Sequence, residues 1–344
     1  MRDSDRFILW GGALLVSLSV WVLGAGQDAK ETSDQPVKIV RLDRRFDELV
    51  PANATVERIA GGFAWVEGPV WHRGGNYLLF SDIPNNAIFK WELCTGAQLF
   101  LQPSGYTGAL PFSGREPGSN GLTFDRQGRL VLCEHGDRRI ARLERDGQKV
   151  TLADRFDGKR LNSPNDLVYH SSGDLYFTDP PFGLPKAFDD PGRELPFCGV
   201  FRLSADGRLT LLTTDLKAPN GIAFSPDQTT LYVTDVDPRR PAWLAYDVRP
   251  DGTLGKGRVF FDATPFTRLW KGAPDGLKVD QAGNLFAAGP GGLYIFGPDG
   301  KHLGTFETGV PTANCAWGED GSTLYIAAST AIYRVRVKTT GTGY

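Results

Sequence analysis

NGLTFDRQGRLVLCE (residues 120–134) and NDLVYHSSGDLYFTD (residues 165–179) follow one plan. A polar residue opens a short apolar strand, a turn containing Gly follows, and a second strand rich in Leu, Val, Tyr or Phe ends on an acid. Short alternating or wholly apolar runs bounded by Gly, Asp, Asn and Pro are strand signals. The plan recurs upstream as EGPVWHRGGNYLLFSD (67–82) and downstream as NGIAFSPDQTTLYVTD (220–235), DGLKVDQAGNLFAAG (275–289) and NCAWGEDGSTLYIAA (314–328). Six copies begin at Glu67, Asn120, Asn165, Asn220, Asp275 and Asn314, spaced by 53, 45, 55, 55 and 39 residues. A period near fifty holding a few short strands marks a propeller. The expected fold is therefore all-β, a six-bladed β-propeller. The last copy has room for only three strands before about Val337, so its fourth strand must come from before Glu67. Residues 55–60 are the expected N-terminal closing strand, which would join the chain ends and remove an exposed sheet edge. An open stack of repeats is the structural alternative, but a solenoid would need capping repeats.

Composition agrees with a turn-rich β chain: 344 residues carry 42 Gly, 23 Pro and one Met. Lys plus Arg number 38 against 40 Asp plus Glu, so no basic excess calls for a nucleic-acid partner. Arg2 and Arg6 precede an apolar run from Phe7 to about Ala25, and small residues follow. That order makes an export signal, and the run is also long enough to stay as a membrane anchor. The expected organisation is a signal peptide or anchor over residues 1–27, an N-terminal extension over 28–54, the propeller over 55–337 and a tail over 338–344. The mature domain is expected to be periplasmic or extracellular, with membrane contact only if the first segment is retained. Cys94, Cys133, Cys198 and Cys315 show no CxxC spacing, which argues against a zinc cluster. Cys133 and Cys315 fall inside strand-like runs, where Cys behaves as a small hydrophobe.

The first strand of each blade lines a propeller's central channel, so the six opening residues ring one mouth. Two carboxylates and four amides would then face a common axis. Such groups are costly to bury unpaired, and two anions repel. A hard cation with oxygen ligands resolves both problems, calcium first. Other divalent cations such as Mg2+, Mn2+ or Zn2+ remain alternatives, although a ring without His or Cys disfavours zinc. The plainer reading is that Asn-Gly and Asp-Gly are turn residues. It does not account for Glu67.

Through SNGLTFDRQGRLVLCEHGDRRIARLE (119–144), GKRLNSPNDLVY (158–169) and YFTDPPFGLP (176–185), the chain resembles a known family. It is similar to the senescence-marker-protein, gluconolactonase and luciferin-regenerating-enzyme family, and within it to the bacterial gluconolactonases, over about residues 55–337. The resemblance implies a six-bladed propeller that hydrolyses sugar lactones with a divalent cation. It implies metal ligands at Glu67, Asn165, Asn220 and Asp275, and an acid/base role for Asp275. Some relatives carry Arg two residues before the Asn165 equivalent for substrate contact. Ser163 stands there in this sequence, so their sugar-acid or polyol specificity does not carry over.

Lactone hydrolysis needs a polarised carbonyl, a base for the attacking water and an acid for the departing ring oxygen. Asp275 is the family-based candidate, but a cation beside it would depress its basicity. His135, after Cys133-Glu134, is the second candidate because imidazole titrates near neutrality; a loop His bonded to backbone is the alternative. His72, His170 and His302 fall in turns and are expected to be exposed. Loops 103–119 and 180–197 are expected to shape the pocket or to be solvated insertions. Asn120, Ser163, Asp179 and Phe182 are the candidate substrate contacts, with orientation of the 180–197 loop the alternative for Asp179. Trp270 is either an aromatic wall or a core residue. No GxSxG elbow, phosphate loop or dinucleotide fingerprint is present. The leading expectation is hydrolysis of glucono-1,5-lactone or a close sugar lactone. A broader lactonase or esterase, and a non-catalytic sugar- or protein-binding propeller with a structural cation, are the alternatives.

Overall fold

A computed structural model describes residues 36–343; the segment 1–27 expected to be an export signal or anchor lies outside them. Six antiparallel sheets of at least four strands follow one another along the chain, so each blade is a meander. Blade 1 spans residues 66–101, blade 2 119–153, blade 3 167–213, blade 4 219–262 and blade 5 277–307. In blade 6 the order is Glu57–Gly61, Ala331–Arg336, Thr323–Ala328 and Thr312–Gly318. The outermost strand thus comes from the N-terminal side and pairs with the last strand, Glu57 opposite Arg334 and Gly61 opposite Ala331. The ring closes as the three-strand remnant predicts, one residue beyond the expected segment.

Two segments set apart by the sequence belong to the packed body. Lys38–Arg41 pairs with His302–Glu307 as a fifth strand on blade 5, and Phe46, Leu49 and Val50 sink into the cluster between blades 5 and 6. The C-terminal tail docks below: Lys338 N donates to Leu49 O, and Thr339 Oγ1 donates to Asp280 Oδ2. Lys38–Arg41 carries no repeat signature, so only tertiary packing assigns it to a sheet.

The core lies between blades. Among the described residues, six apolar clusters form, one for each neighbouring pair of blades. One joins Val131 and Ile140 of blade 2 to Leu167, Phe177 and Phe201 of blade 3. Another joins Tyr176 and Val200 of blade 3 to Ile222, Val233 and Tyr246 of blade 4. The second strands, such as LVLCE and LYFTD, apolar up to their acidic ends, are buried along their length because they pack on both faces. All four cysteines are unpaired; Cys133, Cys198 and Cys315 are buried and Cys94 is exposed.

The Asn-Gly and Asp-Gly pairs that open blades 2, 4 and 5 are not turns. Gly121 N donates to Asn165 O, and Gly276 N donates to Ala313 O, so adjacent inner strands touch at these glycines. A Cβ on Gly221 would lie 2.5 Å from Asp275 O, and one on Gly121 2.7 Å from Asn165 O. Glycine is required there for close approach of the next blade. The register also breaks at this point: between Glu67 and Val70, Ser119 and Leu122, Pro219 and Ile222, and Thr312 and Asn314. Bulges re-aim side chains; here they turn the opening residue of a blade toward the axis.

Candidate functional site at the channel mouth

Loops that join one blade's outer strand to the next blade's inner strand open on the same end as those joining second to third strands. That end carries the ring residues, both long loops and His135. His72 ends the first strand of blade 1 and His170 follows the first strand of blade 3, both at the opposite end, and His302 begins the last strand of blade 5. All three are half-buried against aromatic rings rather than exposed; His72 stacks on Tyr77 at 4.7 Å.

A paired device holds the ring residues in place. At the end of the second strand a hydroxyl donates to the ring residue of the next blade: Ser81 Oγ to Asn120 O, Thr178 Oγ1 to Asn220 O and Thr234 Oγ1 to Asp275 O, at 2.7–2.8 Å. The acid that follows each hydroxyl accepts backbone N–H groups leading into its own inner strand. Asp82 takes Ala64 and Trp65, Asp179 takes Asn162, and Asp235 takes Lys217 and Ala218. The Ser-Asp or Thr-Asp ending of these repeats is therefore a scaffold. Asp179, read from sequence as a substrate contact, is wholly buried in that role. Burial pushes its carboxyl up to about 7, against the opposing pull of the Asn162 and Ser163 N–H groups.

Glu67, Asn120, Asn165, Asn220 and Asn314 are buried; Asp275 is half-buried as a residue, but its Oδ1 is shut off from solvent. Glu67 Oε2 accepts Gly68 N at 2.6 Å and Asn314 Nδ2 at 3.1 Å. The Glu67 and Asp275 carboxyls, from blades 1 and 5 on either side of blade 6, act on each other electrostatically. Burial first raises both pKa values; Asp166 adds to it at Glu67, and Glu67 and Asp166 add to it at Asp275, which lies well above the usual carboxylate range. Asn165 Oδ1 and Asp275 Oδ1 are buried with no hydrogen-bond partner. Orphaned acceptors at the same mouth as two buried carboxyls suit a hard cation. Among the described residues no three His, Cys, Asp or Glu side chains form a ready-made ligand cluster, so amide oxygens would have to complete the set. Asn314 does not join them: its Oδ1 already accepts Lys278 Nζ at 3.3 Å and Cys315 N at 2.9 Å.

Three residues that sequence reasoning passed over stand here. Asp166 occupies the slot that is Gly in blades 1, 2, 4 and 5, and its charge acts on both Glu67 and Asp275. That substitution within the repeat, NDL for NGL, was the available signal. Lys278 is a charge between two buried apolar residues of an inner strand, Leu277 and Val279. Glu116, in the 103–119 loop, carried no signal.

His135 is wholly buried, with Nδ1 2.9 Å from Glu116 Oε2. The distance suits a hydrogen bond, but the approach is out of line, and neither ring nitrogen has an aligned partner. Both long loops meet at this His. Its N–H donates to Gly118 O, and Gly183 packs so closely that a Cβ there would lie 2.5 Å from His135 Cβ. Ser163 secures that contact, donating to Pro180 O at 2.6 Å and accepting Gly183 N at 2.9 Å. Both hydrogen-bonding roles of the Ser163 hydroxyl are thus spent on the loop. Phe182 is half-buried and meets Phe188 edge-on. Trp270 is 40% exposed and lies against Gly291, so it is no core residue.

Residues 65–330 match the family model described as SMP-30/Gluconolactonase/LRE-like region. A gluconolactonase of Zymomonas mobilis is 42% identical over 329 residues, covering 93% of this chain and 92% of its own length. The solved structure of a Xanthomonas campestris gluconolactonase superposes with a TM-score of 0.76 at 32% identity, covering 88% of this chain and 96% of that one. The Agrobacterium tumefaciens calcium-binding protein regucalcin shares the fold, with a TM-score of 0.65 at 21% identity over 83% of this chain and 95% of that one.

Proposed function

The chain belongs to the SMP-30/gluconolactonase/LRE-like family and is a lactone hydrolase of the gluconolactonase type, and from that premise we propose that it opens glucono-1,5-lactone or a close sugar lactone with the help of one divalent cation, calcium first, in the channel mouth. The observation that carries the cation is the pair of buried, partnerless oxygens, Asn165 Oδ1 and Asp275 Oδ1, at the same mouth as Glu67. Glu67, Asn165, Asn220 and Asp275 would hold it through oxygen. When bound, such an ion polarises the lactone carbonyl and acidifies a water.

The chain's own residues supply the proton handling. His135 accepts the proton of the attacking water at Nε2 as the new carbon–oxygen bond forms, and returns it to the ring oxygen as the old bond breaks. Glu116, 2.9 Å from Nδ1, stabilises the imidazolium in between. Asp275 is the competing base, and coordination would weaken it. Asn120 and Phe182, at the same end of the channel, are proposed to contact the sugar. Ser163 positions the loop that carries Phe182. On the strength of residues 1–27 alone, the domain is proposed to act in the periplasm or outside the cell; fractionation and N-terminal sequencing of the mature protein test this.

The primary test is hydrolysis of glucono-1,5-lactone by the chelator-treated protein, corrected for spontaneous ring opening, with calcium then restored. Turnover that returns with calcium and is lost in Asp275→Ala supports the reading. A folded, cation-loaded protein that turns over no lactone overturns it in favour of a binding propeller.

A further inference from the structure

The channel mouth contains a cation of its own. Lys278 lies between Leu277 and Val279, which are buried in the cluster facing blade 4, so its side chain leaves on the other side of the strand. There Nζ donates to Asn314 Oδ1 at 3.3 Å and to Leu277 O at 3.1 Å. Asn314 in turn donates from Nδ2 to Glu67 Oε2 at 3.1 Å. The ammonium on Oδ1 fixes the amide so that its N–H face meets the carboxylate.

Its charge reaches further than its hydrogen bonds. Lys278 favours the ionised form of Glu67, while Asp166 disfavours it. Glu67, Asp166 and Asp275 form one electrostatic group, since Asp166 acts on both of the others. Fully ionised, these three acids carry three negative charges against one on Lys278, leaving two to be met. Glu116 also acts on Asp275, but it is over a third exposed and stands against His135, so water and imidazole screen it.

We infer that Lys278 sets the charge selectivity of the cation site: the built-in ammonium reduces the demand of three carboxylates to that of one divalent ion. The inference rests on the cation reading above. Each additional unit of charge on an incoming ion feels the Lys278 ammonium as repulsion, so a trivalent ion is penalised more than calcium. Removing the ammonium should release that difference and leave a site matched to three charges.

The test compares calcium and terbium affinities of the full protein, by calorimetry and by terbium luminescence, in wild type, Lys278→Met, Lys278→Gln and Lys278→Arg. The ratio of the two dissociation constants cancels any loss of stability common to both. The expected result is a ratio shifted about tenfold or more toward terbium in the Met and Gln variants, with Arg close to wild type. An unchanged ratio in both neutral variants, while wild type binds calcium, overturns the role of Lys278 and leaves the cation site standing. A wild-type protein that binds neither ion overturns both.

Discussion

Asp179 offers the sharpest test of the scaffold. It is wholly buried, accepts Asn162 N at 2.8 Å through Oδ2, and keeps Oδ1 without a partner. Its carboxyl is pushed from 3.8 up to about 7, with burial the largest cause. A folded-state pKa above the unfolded one means that the native state holds its proton longer. The stabilisation is therefore full below about pH 4 and is lost as pH rises to about 7, at about 1.4 kcal/mol per unit. A shift of about three units corresponds to about 4 kcal/mol, levelling off above pH 7. Asp179→Asn mimics the protonated acid: it keeps an acceptor for Asn162 N and cannot ionise. Urea unfolding of both proteins at half-unit steps from pH 4.5 to 8.5 gives a difference curve in which all other groups cancel. The variant should gain on wild type by several kcal/mol across that range, mostly before pH 7. A flat curve would refute the argument, and so would one in which the variant loses ground with rising pH, since Asp179 would then be ionised and stabilised as an anion.

Four further outcomes follow from the same geometry. Because burial and neighbouring acids keep Glu67 and Asp275 protonated beyond the usual range, calcium binding should expel protons below neutrality, and affinity should weaken as pH falls; calorimetry in two buffers of different ionisation enthalpy measures the release. His135→Gln should lower kcat by about 10²–10⁴ while calcium affinity stays at the wild-type value; steady-state kinetics paired with calorimetry separate the two. Gly221→Ala places a Cβ 2.5 Å from Asp275 O, so unfolding should show a loss of about 1–3 kcal/mol together with weaker calcium binding. Ser163→Ala removes the two hydrogen bonds that seat Gly183 on His135; it should reduce kcat without changing calcium affinity, and faster proteolysis within 180–197 would report the loosened loop.

By itself the sequence determined the repeat, and with it much else: all-β blades, their number, closure from the N-terminal side, and the six residues that meet at the axis. These are legible because a blade is local, so a strand, turn and strand write their period directly into the chain. Membership of the family was legible for the same reason, in long contiguous motifs. What the polar residues do once they meet was decided only by the tertiary structure. Asn314, one of six equivalent openings in sequence, is spent on Lys278, Cys315 and Glu67. Asp179 and Ser163, read as substrate contacts, are consumed by backbone groups from loops of other lengths. The glycines that looked like turns are points where two inner strands touch. Glu116 reaches His135 from a loop with no periodicity, and Lys38–Arg41 joins a sheet more than two hundred and fifty residues away in sequence. Periodicity reports which face a residue is on; only the folded ring determines which partner satisfies it, because those partners come from neighbouring blades and irregular loops.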